Sequence, residues 1–264
     1  MNRTLRSFMI LLTVWTVCLS LGGTVLSVFA DEDAYLLAET PDAGAEYQDS
    51  LIFLGESTTA HLKSRGVLSK GRHTEQVWAD ESGTMRLGPK IATQTIIYPK
   101  TGEKMTIAEA VALEKPTYTV LSFGLNGILG FSEKSETYER YYQSLIDIIQ
   151  RASPKTSIIL QTVYPVTAPQ NASDWHFSQS PEEINERIER INQSLPRIAA
   201  TNTGVMVVDS ASILKDENGQ LKPQYCIGDG IHLTEDAYRA VLTYLRTHAY
   251  HLPMPLPITP DQWR

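Results

Sequence analysis

The rhythm of apolar and polar positions changes several times along the chain, and each change marks an element. Leu51-Ile52-Phe53-Leu54 is an unbroken apolar run that stops abruptly at Gly55-Glu56-Ser57. A strand buried on both faces reads this way, and Ala60 to Arg65 continues as a helix. Similar runs recur at Thr117 to Phe123, Ser157 to Thr162 and Gly204 to Val208. Glu75 to Ala79 predicts a shorter strand, and Ile91 to Tyr98 has β character. Between them the period lengthens. Thr106 to Leu113 predicts a short helix. Tyr138, Tyr141, Tyr142, Leu145, Ile148 and Ile149 repeat at helical spacing with one apolar face. Ile184, Ile188, Ile191, Leu195 and Ile198 form another stripe, with Pro196 expected to bend or end its helix. That helix opens at Ser180-Pro181-Glu182-Glu183, where Ser caps, Pro starts and Glu183 caps back. Thr234 caps a final helix through Leu245.

Strands alternating with helices of this length imply right-handed crossovers and a mostly parallel sheet covered on both faces. One doubly wound α/β domain accounts for residues 50–248. The ends differ from it. Arg3 and Arg6 precede an uncharged apolar run from Phe8 to Ala30, so residues 1–30 read as an export segment, either removed or retained as a membrane anchor. Residues 31–49 are acidic and predict a solvated stalk; residues 249–264 form a proline-rich tail.

Composition narrows the function classes. The formal net charge is −7 and no basic stripe is present, which argues against a nucleic-acid partner. Membrane contact is expected only through the N-terminal segment. Cys18 lies in the apolar run, which leaves Cys226 alone in the domain as a packed or partly exposed thiol.

Ligands of open parallel sheets bind outside the carboxyl ends of the strands. Ser57 follows the first strand, Gly83 the second, Asn126 the strand at 117–123, and Asp229-Gly230-Ile231-His232 the last. Each has an ordinary alternative as a helix cap or a turn residue. Their joint placement on one rim outweighs it. Acyl transfer needs a nucleophile, a base, a group that orients the base, and donors for the oxyanion. Ser57, His232 and Asp229 suit the first three roles. The N–H groups of Ser57 and Gly83 (Gly88 as the fallback) and the side-chain amide of Asn126 are expected to serve the fourth. Tyr164, Trp175 and His176, in a polar loop, are candidate substrate contacts.

Gly55-Glu56-Ser57, Gly124-Leu125-Asn126 and Asp229-Gly230-Ile231-His232, in that order, resemble the blocks of the SGNH (GDSL-type) hydrolase family. The resemblance spans most of residues 50 to 248. It implies a flavodoxin-like three-layer α/β/α sandwich, a Ser-His-Asp triad and esterase activity with no metal or organic cofactor. Glu56 stands where the family usually has Asp, and its side chain is expected to point away from the attacking hydroxyl. Gly127 stands where an Asp often follows the family Asn.

The leading expectation is an extracytoplasmic serine esterase that removes O-acetyl groups from a carbohydrate or cell-wall substrate. A lipid-ester or lysophospholipid hydrolase is the nearest enzyme alternative, and a non-catalytic carbohydrate-binding protein on the same fold is another. His61, His73, His176, His248 and His251 show no metal-ligand spacing and read as surface or loop residues.

Overall fold

A computed structural model describes residues 32–251; the expected export segment and the tail from residue 252 lie outside the described residues. Helix α1 (Gly44–Asp49) leads into β1 (Leu51–Gly55), buried along its whole length, and α2 (Ser57–Ser64) follows after Glu56. Strand β2 (Val77–Trp78) precedes a hairpin of β3 (Thr95–Ile97) and β4 (Lys104–Thr106), which runs into α3 (Ile107–Glu114). Next come β5 (Tyr118–Ser122), α4 (Ile128–Glu133), α5 (Ser135–Ala152) and β6 (Ser157–Gln161). The chain continues through α6 (Pro181–Asn192), α7 (Leu195–Ala200), β7 (Val205–Val208) and α8 (Glu235–Thr247).

Five strands form one sheet in the order β2-β1-β5-β6-β7, and every neighbouring pair is parallel. That is the flavodoxin-like winding, with the chain reversing its direction of growth between β1 and β5. Alternate residues of β1 enter opposite layers. Ile52 and Leu54 join Leu121, Ile158 and the apolar faces of α3, α5 and α6. Leu51 and Phe53 join Val120, Ile159 and the apolar faces of α2 and α8. The sheet is therefore covered on both sides, which is why its strands read as unbroken apolar runs.

Local signals place several helix starts. Ser180 and Glu183 form the reciprocal cap at α6, Thr106 and Glu109 do the same at α3, and the Thr234 hydroxyl caps α8. The stripe read as one helix through Ile198 is two: α6 ends at Asn192 and Pro196 sits in the first turn of α7, where its missing N–H costs nothing. The stretch from Ile91 opens as a short 3-10 turn, Ile91–Thr93, before β3 begins.

The acidic stretch expected as a solvated stalk is instead part of the domain. Leu36 bridges Val207 in parallel beside β7, and the Leu37 N–H donates to the Val207 carbonyl at 2.8 Å. Tyr35 and Leu36 pack on one core layer, Leu37 and Tyr47 on the other. Asp42 accepts from Arg246 Nε at 2.9 Å. The apolar residues between the acids bury their faces, an effect that outweighs the solubility of the acids around them. Among the described residues, no helix is long and apolar enough to cross a membrane.

Candidate active site

The site begins at the end of β1, where Gly55 pairs with Ser122 of β5. A β-carbon on Gly55 would lie 2.4 Å from the Ser122 carbonyl oxygen and 2.3 Å from Thr59 Oγ1, so only glycine lets the two strands and α2 meet there. Glu56 takes the N-cap position with extended backbone and makes no side-chain cap. Ser57 is then the first residue of α2, and its hydroxyl is free of capping duty. Ser57 Oγ lies 2.9 Å from His232 Nε2.

His232 sits just before α8. Its Nδ1 is 2.6 Å from Asp229 Oδ2, while Asp229 Oδ1 accepts the N–H groups of Ile231 at 2.9 Å and His232 at 2.8 Å. Burial pushes the Asp229 carboxyl upward, but those amides and the imidazole outweigh it and hold it below its ordinary value. The carboxylate is ionised at neutral pH and fixes the imidazole tautomer, leaving Nε2 to face the hydroxyl.

The loop carrying this pair is braced from two sides. Cys226 Sγ accepts the Gly230 N–H at 3.2 Å and the Gly228 N–H at 3.4 Å. The segment after β6 donates to the same loop, from Thr167 N–H to the Gly230 carbonyl at 2.9 Å and from Gln170 N–H to the Gly228 carbonyl at 2.7 Å. That segment is itself held by α6. Asn192 takes both backbone groups of Val163, and Asn185 takes both of Val166.

Asn126 lies after β5, across the switch point from Ser57. Its side-chain Nδ2 is buried and has no hydrogen-bond partner. An orphaned buried donor costs stability, about 1–3 kcal/mol, unless a ligand atom meets it. The Glu56 carboxylate holds this loop, accepting the Gly124 N–H at 3.0 Å and the Asn126 N–H at 3.1 Å. Burial pushes Glu56 up to about 7, against the downward pull of the Gly124, Asn126 and Leu125 amides and of Arg86. Tyr138 and Tyr142 hydroxyls fix the Phe123 carbonyl at 2.9 and 3.4 Å, pinning the end of β5.

Other expected site residues stand elsewhere. The Gly83 N–H, expected as an oxyanion donor, is spent on the Asp80 carbonyl at 3.1 Å inside a turn. Gly88, the fallback, belongs to another turn, where its carbonyl takes the Ile91 N–H at 3.1 Å. Tyr164 is not a surface contact: it is 7% exposed, and its hydroxyl bonds inward to Ser210 and Gln161. Trp175 is half-buried, donates from Nε1 to the Gln179 carbonyl at 2.8 Å and lies against Gly230, so it supports the histidine loop. His176 is exposed.

His61, read from sequence as a surface or loop histidine, is in α2 one turn beyond Ser57, with its ring 4.5 Å from that of His232 and its Nδ1 buried without a partner. The four-residue spacing from Ser57 was the available signal, since it puts both on one helix face. Among the described residues, no three His, Cys, Asp or Glu side chains are grouped as a metal would require.

An open parallel sheet in flavodoxin-like order, with these blocks at its carboxyl edge, defines an SGNH-type α/β hydrolase. More particularly, the chain belongs to the GDSL-like lipase/acylhydrolase family, whose model matches residues 53–240. No curated protein matches it. Among solved structures it is similar to a Streptococcus pneumonia protein provisionally described as a platelet activating factor, at 20% identity and TM-score 0.55, covering 83% of this chain and 96% of that one. It is also similar to a family 3 carbohydrate esterase from Talaromyces cellulolyticus, at 14% identity and TM-score 0.47, covering 74% and 93%. A Clostridium thermocellum family 3 carbohydrate esterase follows at 17% identity and TM-score 0.42, covering 74% and 91%. At these identities the likeness speaks to the fold alone.

Proposed function

We propose that Ser57, His232 and Asp229 are the catalytic triad of a serine esterase that removes O-acetyl groups from an extracytoplasmic carbohydrate or cell-wall substrate. The observation that carries the reading is the continuous line from Ser57 Oγ through both His232 nitrogens to Asp229, at 2.9 and 2.6 Å. The Ser57 oxygen attacks the ester carbonyl while its proton passes to His232 Nε2. The resulting oxyanion takes hydrogen bonds from the Ser57 N–H at the start of α2 and from Asn126 Nδ2, the orphaned donor. Collapse expels the alcohol, which leaves with the proton from His232. Water, activated by the same nitrogen, then hydrolyses the acyl-serine to acetate and restores the hydroxyl.

The substrate and location rest on the sequence. The export-type segment at residues 1–30 points outside the cytoplasm. Membrane contact belongs to that segment only. A panel of esters of increasing acyl length and of acetylated glycans, run with wild type and Ser57→Ala in parallel, tests the proposal. Acetate release from glycan that disappears in Ser57→Ala supports it. Turnover confined to long-chain lipid esters moves the assignment to a lipid hydrolase, and failure of a serine-reactive probe to label Ser57 removes the enzyme reading.

A further inference from the structure

Helix α2 carries the Ser57 hydroxyl at its first residue, and a cleft opens along its flank one turn further on. Ala60 and Lys63 form one wall, Arg72 and Gly83 close it, and Ile97 of β3 faces them, around a volume of about 640 Å³. That lies within the range of small-ligand sites. The cleft shares helix α2 with Ser57: Gly83 lies against Ala60, three residues further along.

Its charges are unequal in their freedom. The Asp80 carboxylate is tied into its own turn by the Ser82 hydroxyl at 2.7 Å and the Thr84 N–H at 3.1 Å. Glu81 is paired with Lys104 at 2.9 Å. Lys63 and Arg72 are exposed, and among the described residues neither has an acidic partner. With Glu81 neutralised by Lys104, Lys63 and Arg72 outnumber the one remaining carboxylate of the cleft, Asp80, on a chain whose formal net charge is −7. Unpaired cations beside a cleft on an acidic protein attract and orient anions.

We propose that this cleft is a subsite for an anionic group, carboxylate or phosphate, borne by the glycan whose ester reaches Ser57. The proposal rests on the esterase reading above and narrows its substrate to an acidic polymer. Lys63 lies roughly 9 Å along the helix axis from Ser57, at about 1.5 Å per residue. The anion therefore sits on a sugar neighbouring the acylated one rather than on the same ring.

Acetylated polygalacturonate and acetylated xylan, matched in acetyl content, present the same ester with and without carboxylates. The wild type is expected to favour the acidic polymer in kcat/KM, with a preference that erodes as salt screens the contact. The Lys63→Glu/Arg72→Glu double variant is expected to lower the acidic-to-neutral ratio about tenfold, mainly through KM. Lys63→Gln/Arg72→Gln should move it the same way by less, and covers the case in which charge reversal disturbs folding. No wild-type preference, or a ratio unchanged in the folded double variants, overturns the subsite. Competition by polygalacturonate and by poly(glycerol phosphate) separates the two anions, and whichever inhibits wild type more than the variant is the one bound. If neither does, the subsite is overturned. Acetate release from the neutral xylan, tested against Ser57→Ala, reports separately on the esterase reading.

Discussion

The Glu56 carboxylate holds the backbone N–H of Asn126 with both oxygens, each at 3.1 Å. The residue before the proposed nucleophile thereby sets the position of the residue proposed to offer the oxyanion its side-chain donor. Ser57 and Asn126 follow different strands, β1 and β5, either side of the point where the sheet reverses its growth. A buried carboxylate spanning that gap couples them.

Replacing Glu56 by Gln tests the coupling. One acceptor oxygen becomes an NH2 facing backbone donors, so the loop at 124–126 must shift. Complete loss of an oxyanion donor costs about 100- to 1,000-fold in kcat. Displacing one should cost on the order of tenfold to a hundredfold, with KM for a small ester little changed. Wild-type kcat in Glu56→Gln would show that the carboxylate does not position the donor.

Asn126 itself gives a cleaner contrast between stability and rate. Its Nδ2 is buried and unpartnered in the free protein, so Asn126→Ala removes a desolvation cost rather than a bond. The expected outcome is kcat lowered about 100-fold with Tm unchanged or raised. A large fall in Tm would mark Asn126 as a structural residue.

Half-buried His61 and buried Glu56 give opposite pH dependences of stability. His61 is lowered from 6.5 to about 4 by burial and by its neighbours His232 and Arg65, against a smaller upward pull from Asp229. The unfolded chain therefore binds a proton that the folded chain refuses, and stability is lost as pH falls from 6.5 toward about 4. Glu56 is raised from 4.5 to about 7, so its proton is held by the fold. That stabilisation is complete below the ordinary carboxylate range and is lost as pH rises through about 7. Thermal melts of His61→Phe should show a flatter acid limb than wild type, and melts of Glu56→Gln a flatter rise in stability on acidification from 7. Parallel curves for variant and wild type would refute both assignments.

Much of this was legible because it is local. The apolar run at 51–54, the cap at Ser180 and the helical spacing from Tyr138 to Ile149 each state their element within a few residues. The rim was legible because parallel topology forces every strand's carboxyl end to one side. What stayed hidden depends on distant partners. Nothing around Leu36 announces that its backbone will join β7, and the acids around it suggest solvent instead. The Gly83 amide closes a turn with Asp80 at its first position and glycine at its fourth, a local signature that outranks its place after the second strand. His61 carries no ligand spacing, and only its distance along α2 from Ser57 places its ring against His232.

Tyr164 offers a test of that boundary between local pattern and tertiary fact. It follows β6 in a loop that sequence alone makes a substrate contact, yet its ring is in the core with its hydroxyl on Ser210 and Gln161. A substrate contact changed to Phe would lose binding and leave stability alone. A buried tyrosine behaves the opposite way: the side chain keeps its packing, but Ser210 and Gln161 lose a partner, at a cost of about 1 kcal/mol. Tyr164→Phe should therefore lower the midpoint of urea unfolding while kcat/KM on acetyl esters stays within about twofold of wild type, a limit well inside the tenfold that 1.4 kcal/mol would produce. A raised KM with unchanged unfolding would return Tyr164 to the substrate.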